Sequence, residues 1–142
     1  MKLVTHLLDT KGRHIISVAP DSSVFDAIQL MADQAVGSLL VMNDDELLGI
    51  VTERDYARKV ILKGRSSETT TVAEVMTSDV LTASSAQTVN DCMELMTERR
   101  IRHLPVVEDN RVIGMISIGD LVQAIISDQQ EAIEQLEHYI SG

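Results

Sequence analysis

Short apolar, β-branched runs alternate along this chain with segments whose apolar positions recur at helical spacing. Ile15-Ile16-Ser17-Val18, closed by Pro20, predicts a short strand. Asp21-Ser22-Ser23 then opens a helix in which Val24, Ala27, Ile28 and Met31 share one face, and Ser23 with Asp26 fits a capping box. Val36–Met42 predicts a second strand, Asn43–Glu46 a turn and Leu47–Thr52 the partner strand, followed by a helix from Asp55 toward Leu62. Ahead of these, Val4 to Leu8 predicts a short helical turn and Asp9–Arg13 a loop.

The pattern then repeats. Gly49-Ile50-Val51-Thr52-Glu53-Arg54-Asp55 returns as Gly114-Met115-Ile116-Ser117-Ile118-Gly119-Asp120, an offset of 65 residues without a gap. The same offset places Val24 on Val89, Asp26 on Asp91, Met31 on Met96, Leu39 on Leu104 and Val41 on Val106. Thr88 with Asp91 repeats the capping box, and Val89, Cys92, Met93 and Met96 repeat the helical face. The second copy predicts strands at 101–107 and 112–117, a turn at 108–111 and a helix from Asp120. We take repeats of 7–64 and 72–129, each β-α-β-β-α, with residues 64–71 as a polar linker and 130–142 as a C-terminal helix or tail. The fold class is α/β, a sheet covered by helices. From Ser127 to Ile140 a further helix shows an apolar stripe of Ile133, Leu136 and Ile140, to be packed on the core or on a second chain.

Composition narrows the partners. A repeat of about 60 residues is marginal alone, and two sharing a core solve that problem. The 44% hydrophobic and 24% charged residues suit a soluble globular protein, no apolar run spans a bilayer, and no membrane role is expected. The N-terminus lacks a secretory apolar region, and the single cysteine, Cys92, excludes a disulfide framework, so the cytoplasm is the expected location. The net charge of −10 disfavours nucleic acid. Local basic patches interrupt this acidity: Arg54, Arg58, Lys59, Lys63 and Arg65, then Arg99, Arg100 and Arg102 beside His103. They suit a small anion rather than a polyanion. The four histidines show no metal-ligand spacing, and no Walker loop, nucleophile elbow or dinucleotide fingerprint is present, so no catalysis is expected.

Two β-α-β-β-α repeats, each carrying Gly-h-h-[Ser/Thr]-x-x-Asp (h, apolar), resemble a tandem pair of cystathionine β-synthase (CBS) domains, the Bateman module. Val36-Gly37-Ser38-Leu39-Leu40-Val41 and Ile101-Arg102-His103-Leu104-Pro105-Val106-Val107 are similar to that family's middle strand, and Thr52-Glu53-Arg54-Asp55 to many stand-alone bacterial members. The resemblance implies repeats packed with pseudo-twofold symmetry, clefts between them that bind AMP, ADP, ATP, NAD or S-adenosylmethionine, a disc-like homodimer, and a regulatory role exerted on some downstream protein. It also accounts in advance for dehydrogenase-like names among relatives, since the module is inserted in inosine-monophosphate dehydrogenase.

Within that resemblance the residues acquire roles. Asp55 and Asp120 would accept from the ribose hydroxyls, Thr52 and Ser117 would donate to a phosphate, and Arg54 would neutralise its charge. The same Thr52-x-x-Asp55 and Ser117-x-x-Asp120 spacing also satisfies a capping box, and both roles can coexist. Ile16, Val36 and Ile50 in the first repeat, and Leu81, Ile101 and Met115 in the second, would form the adenine slots, with Thr82 a further ligand-binding candidate; ordinary core packing is the alternative for the apolar residues. Gly37 and Ser38 correspond to Arg102 and His103, positions whose basic side chains would reach a phosphate, commonly across to the other site. His103 reads first as a polar surface or interface residue and second as a ligand contact. Arg58, Lys59, Lys63 and Arg65 read as a solvated face, with Arg65 available to a long phosphate tail. Cys92 and the methionine stripe read as core.

Overall fold

The computed structural model describes residues 2–141. In chain order it contains α1 (Val4–Lys11), β1 (Ser17–Val18), α2 (Val24–Gln34), β2 (Ser38–Asn43), β3 (Glu46–Thr52), α3 (Glu53–Tyr56), a π-helical turn (Ala57–Ile61), α4 (Val72–Val75), α5 (Val89–Arg99), β4 (His103–Glu108), β5 (Arg111–Ser117) and α6 (Ile118–Ser141). The α/β class and the two repeats are as expected.

Two compact units form, and their boundaries cut across the repeats. One comprises Ile15–Leu81 with Asn110–Val112; the other comprises the N-terminal segment through His14, Thr82–Asp109, and Ile113 onward. In the first, β1 runs parallel to β2, and β2 pairs antiparallel with β3 in a register that sets Ser38 opposite Thr52. The core gathers Val24, Ala27 and Met31 from α2, Leu39, Val41 and Val51 from the sheet, and Val72 and Val75 from α4. In the second, β4 and β5 form the sheet, and Ala83 bridges Val106 in parallel where a full strand was expected. Val4, Leu7 and Leu8 of α1 are buried there.

The opening stretch of each repeat, residues 7–14 and 72–81, therefore belongs, with the residues just before it, to the unit of the other repeat. Hydrogen bonds show how. The carbonyls of Thr70 and Ser67 accept from the orphan N–H groups of Val24 and Phe25 at the start of α2 (both 2.9 Å), while that of Lys2 accepts from Val89 at the start of α5 (2.9 Å). The stretch expected to be a polar linker thus caps a helix. Thr88 and Asp91 exchange both capping hydrogen bonds; Ser23 only accepts from the Asp26 N–H, so the predicted box is half formed. The expected strand at residues 15–18 shortens to two residues, and the helix after Asp55 becomes one α-turn followed by the π-helical turn. The helix from Asp120 and the C-terminal helix are one continuous α6 of 24 residues. Cys92 is fully buried, and burial, aided by the Asp91 charge, pushes its thiol up to about 11.

Candidate functional site

Each repeat brings its motif together at one end of its hairpin. In the first unit, Gly37 and Ser38 enter β2 beside Thr52, the last residue of β3, and the Glu53 N–H donates to the Gly37 carbonyl at 3.1 Å. Thr52 ends the strand in extended geometry and caps α3. Its N–H and hydroxyl both donate to Asp55 Oδ2 at 3.1 Å, and its hydroxyl accepts from the Asp55 N–H at 3.1 Å. Asp55 is only 8% exposed. Its other oxygen, Oδ1, lies 3.1 Å from the Lys59 ammonium, which also donates to the Val75 carbonyl at 2.9 Å.

The second unit repeats this with a different lysine. The Ile118 N–H donates to the Arg102 carbonyl at 2.9 Å, placing Arg102 and His103 beside Ser117. The Ser117 N–H donates to Asp120 Oδ2 at 2.8 Å, and the Ser117 hydroxyl accepts from the Asp120 N–H at 3.1 Å. Lys11, arriving on α1, donates to Asp120 Oδ2 and to the Met115 carbonyl, both at 2.5 Å. Burial raises the Asp120 pKa, but the Lys11 and Ser117 hydrogen bonds and the Lys11 charge outweigh it and hold the carboxyl below its usual range. His103 is pushed down by burial and by the Lys11 ammonium; Asp120 pulls it up and Arg102 down again, and the imidazole is neutral at pH 7.

The capping role of both aspartates is therefore present, and neither carboxylate turns outward into water. Ile16, Val36 and Ile50, and Leu81, Ile101 and Met115, are all half-buried, unlike the fully buried Leu39, Leu40, Val51, Leu104 and Ile116. Thr82 is exposed, just ahead of the Ala83 bridge. Arg54 and Arg102 are exposed, and among the described residues neither makes an ion pair. Arg65 follows the far end of the helical segment that Asp55 opens, and its guanidinium pairs with Glu74 at 3.2 Å. The sequence reading missed both lysines. Lys59 had a signal, standing four residues after Asp55 on one helical face. Lys11 had none, being 109 residues from Asp120. No group of His, Cys, Asp and Glu able to hold a metal occurs among the described residues.

The depressed Asp120 pKa carries a pH prediction. A folded-state pKa below the unfolded one adds stability at neutral pH that is lost as pH falls through the folded value. The unfolding midpoint should therefore drop between about pH 5 and pH 3 by less in Asp120→Asn than in the wild type. Parallel curves for the two proteins would show that the Lys11–Asp120 contact contributes nothing.

Comparison with known proteins agrees with this architecture. The CBS domain model matches residues 10–62 and again 72–127, and the chain belongs to the CBS domain family as a tandem pair. It is 44% identical over 127 residues to the mitochondrial CBS domain-containing protein CBSX3 of Arabidopsis thaliana, covering 86% of this chain and 62% of that protein. The chain thus spans about three fifths of that relative's length. A putative signal-transduction protein with CBS domains from Burkholderia ambifaria is 50% identical with a TM-score of 0.86, covering 90% of this chain and 96% of the other. The CBS domain pair of protein MJ0100, solved in complex with 5′-methylthioadenosine and S-adenosylmethionine, is 25% identical with a TM-score of 0.79, covering 90% and 98%. Among the described residues no helix is long and apolar enough to cross a membrane.

Proposed function

We propose that the chain is a non-catalytic regulatory module that binds an adenosine-containing ligand at the strand ends marked by Asp55 and Asp120. AMP is the first candidate, with ADP, ATP, NAD and S-adenosylmethionine behind it. One observation carries this reading. In each repeat a buried or half-buried aspartate, fixed by a hydroxyl residue at the strand end, holds a lysine ammonium on its carboxylate. Ribose hydroxyls are donors of the kind such a carboxylate takes, and the displaced lysine becomes a cation for the phosphate. The half-buried apolar residues nearby suit an adenine face, and the adenosyl ligands of the MJ0100 pair belong to the same chemical class. Location in a reducing cytoplasm and a downstream protein target are part of the same proposal.

The two sites are unequal. Asp120 has Lys11, Arg102 and neutral His103 around it, whereas Asp55 has Lys59 and Arg54 beside the small residues Gly37 and Ser38. Titration calorimetry should be run on protein shown ligand-free by acid extraction and mass spectrometry. At least one of the five ligands should bind, and Asp55→Asn or Asp120→Asn should weaken it by roughly tenfold or more through unpaired ribose hydroxyls. Unfolding midpoints control for the lost cap contact, worth about 0.5–2 kcal/mol. Silence with all five ligands would sink the proposal. In that event the second reading, an oligomerisation adaptor with vestigial nucleotide sites, takes its place; the long exposed end of α6 favours it.

A further inference from the structure

The second half of α6 carries an apolar stripe that its own unit does not use. α6 has 24 residues, about 36 Å at 1.5 Å per residue. Leu121 and Ala124 bury its first turns, but every residue from Gln129 to Ser141 is exposed. An isolated helical stretch of that length is marginal in water unless its apolar face finds a partner.

The stripe has coiled-coil spacing. Val122, Ile126, Gln129, Ile133, Leu136 and Ile140 alternate in steps of four and three, with isoleucine at the a positions and valine, glutamine and leucine at d. The five apolar members are between 44% and 75% exposed. β-Branched a and leucine d residues select two strands in parallel coiled coils. We infer that the exposed part of α6 pairs in parallel, seam to seam, with α6 of a second copy of this chain.

Three further observations choose this occupant. With Tyr139, 84% exposed, alongside, six large apolar side chains follow one another along a single helix face, a contiguous apolar seam of the kind a protein interface covers. α6 contains no lysine or arginine, and of its acidic residues in this stretch Asp128, Glu131 and Glu134 lie at the outer c, f and b positions, with only Glu137 flanking the seam. Two like-charged copies can approach along such a face, whereas a basic partner helix would be matched by acids at the flanking positions. Gln129 sets orientation: in a parallel pair it meets its own counterpart and the two amides can hydrogen-bond, while an antiparallel pair, in which d positions face a positions, sets it against isoleucine. The pairing goes beyond the nucleotide reading and is independent of it.

Cysteine cross-linking of the full chain tests the pairing. Ile140→Cys, at an a position, should form a covalent dimer under mild oxidation about tenfold faster than Glu131→Cys on the outer face, because only the former brings the two Cα atoms within disulfide range. Buried Cys92 supplies the wild-type control. Adding Ile133→Asp and Leu136→Asp to the Ile140→Cys chain should abolish cross-linking and leave the circular dichroism of the folded units in place. Equal rates for the two single variants, or cross-linking that survives the aspartates, would overturn the inference. In an antiparallel pair the two Ile140 positions lie about 20 Å apart, so failure of Ile140→Cys to cross-link also refutes it.

Discussion

Removing residues 1–12 is expected to unfold the unit built on the second repeat, although that repeat begins some sixty residues later. Val4, Leu7 and Leu8 lie in its core. Each large apolar truncation in a core costs about 2–5 kcal/mol, and a domain's whole stability is about 5–15 kcal/mol. Losing three such side chains, together with the Lys2 carbonyl that caps α5 and the Lys11 ammonium on Asp120, is comparable to the whole. The point version is Leu8→Ala, with an expected cost of about 3 kcal/mol. Native-state hydrogen exchange locates the damage: amides of α5, β4 and β5 should lose protection first, with β2 and β3 of the other unit less affected. If Leu8→Ala instead opened α2 and the β2–β3 hairpin, the exchange of leading segments between repeats would be wrong.

That exchange was not legible in the sequence. The leading segments correspond at an offset of 68, Lys2 with Thr70 at the helix caps and Leu8 with Met76 at the glycines, three more than the repeats, and correspondence says only that they are equivalent. Either could pack on its own repeat or on the other, because both hairpins present the same glycine notch, at Gly49 and at Gly114. What could be read was whatever local spacing encodes: helical faces such as Val24, Ala27 and Met31, the hairpins flanking Asn43–Glu46 and residues 108–111, and the reciprocal caps at Thr52 and Ser117. Asp44, Asp109 and Asn110 adopt the left-handed conformation that aspartate and asparagine tolerate in tight turns. The π-helical turn after Tyr56 has no periodic signature. The lysines were misread because a long flexible side chain is assigned to solvent by default, while Lys59 and Lys11 reach back to carboxylates. At the candidate sites the aspartates, hydroxyl residues and half-buried apolar groups were legible as a cluster, and the cations seated on the aspartates were not.

The glycine that opens each motif should prove the most sensitive single position, and unequally so. A Cβ on Gly49 would lie 2.7 Å from the Thr77 carbonyl oxygen and 2.8 Å from Met76 Sδ. The Thr77 carbonyl cannot retreat, because it accepts from the Ile50 N–H at 3.0 Å while the Thr77 N–H donates to the Ile50 carbonyl at 2.9 Å. A Cβ on Gly114 would lie 2.7 Å from Leu8 Cδ2, the far end of a side chain. Leu8 is fully buried, so it must repack, but a rotamer shift is cheaper than moving hydrogen-bonded backbone. Overpacking of this kind costs about 1–3 kcal/mol and more where backbone must move. Gly49→Ala should therefore lose about 3 kcal/mol in denaturant unfolding and Gly114→Ala about half of that. Costs below about 1 kcal/mol for both would show that the close approach is not a constraint. A large loss in stability without a matching loss of ligand affinity per folded molecule would divide the shared motif by role, its glycine serving the packing of the exchanged segment and its hydroxyl and aspartate serving the site.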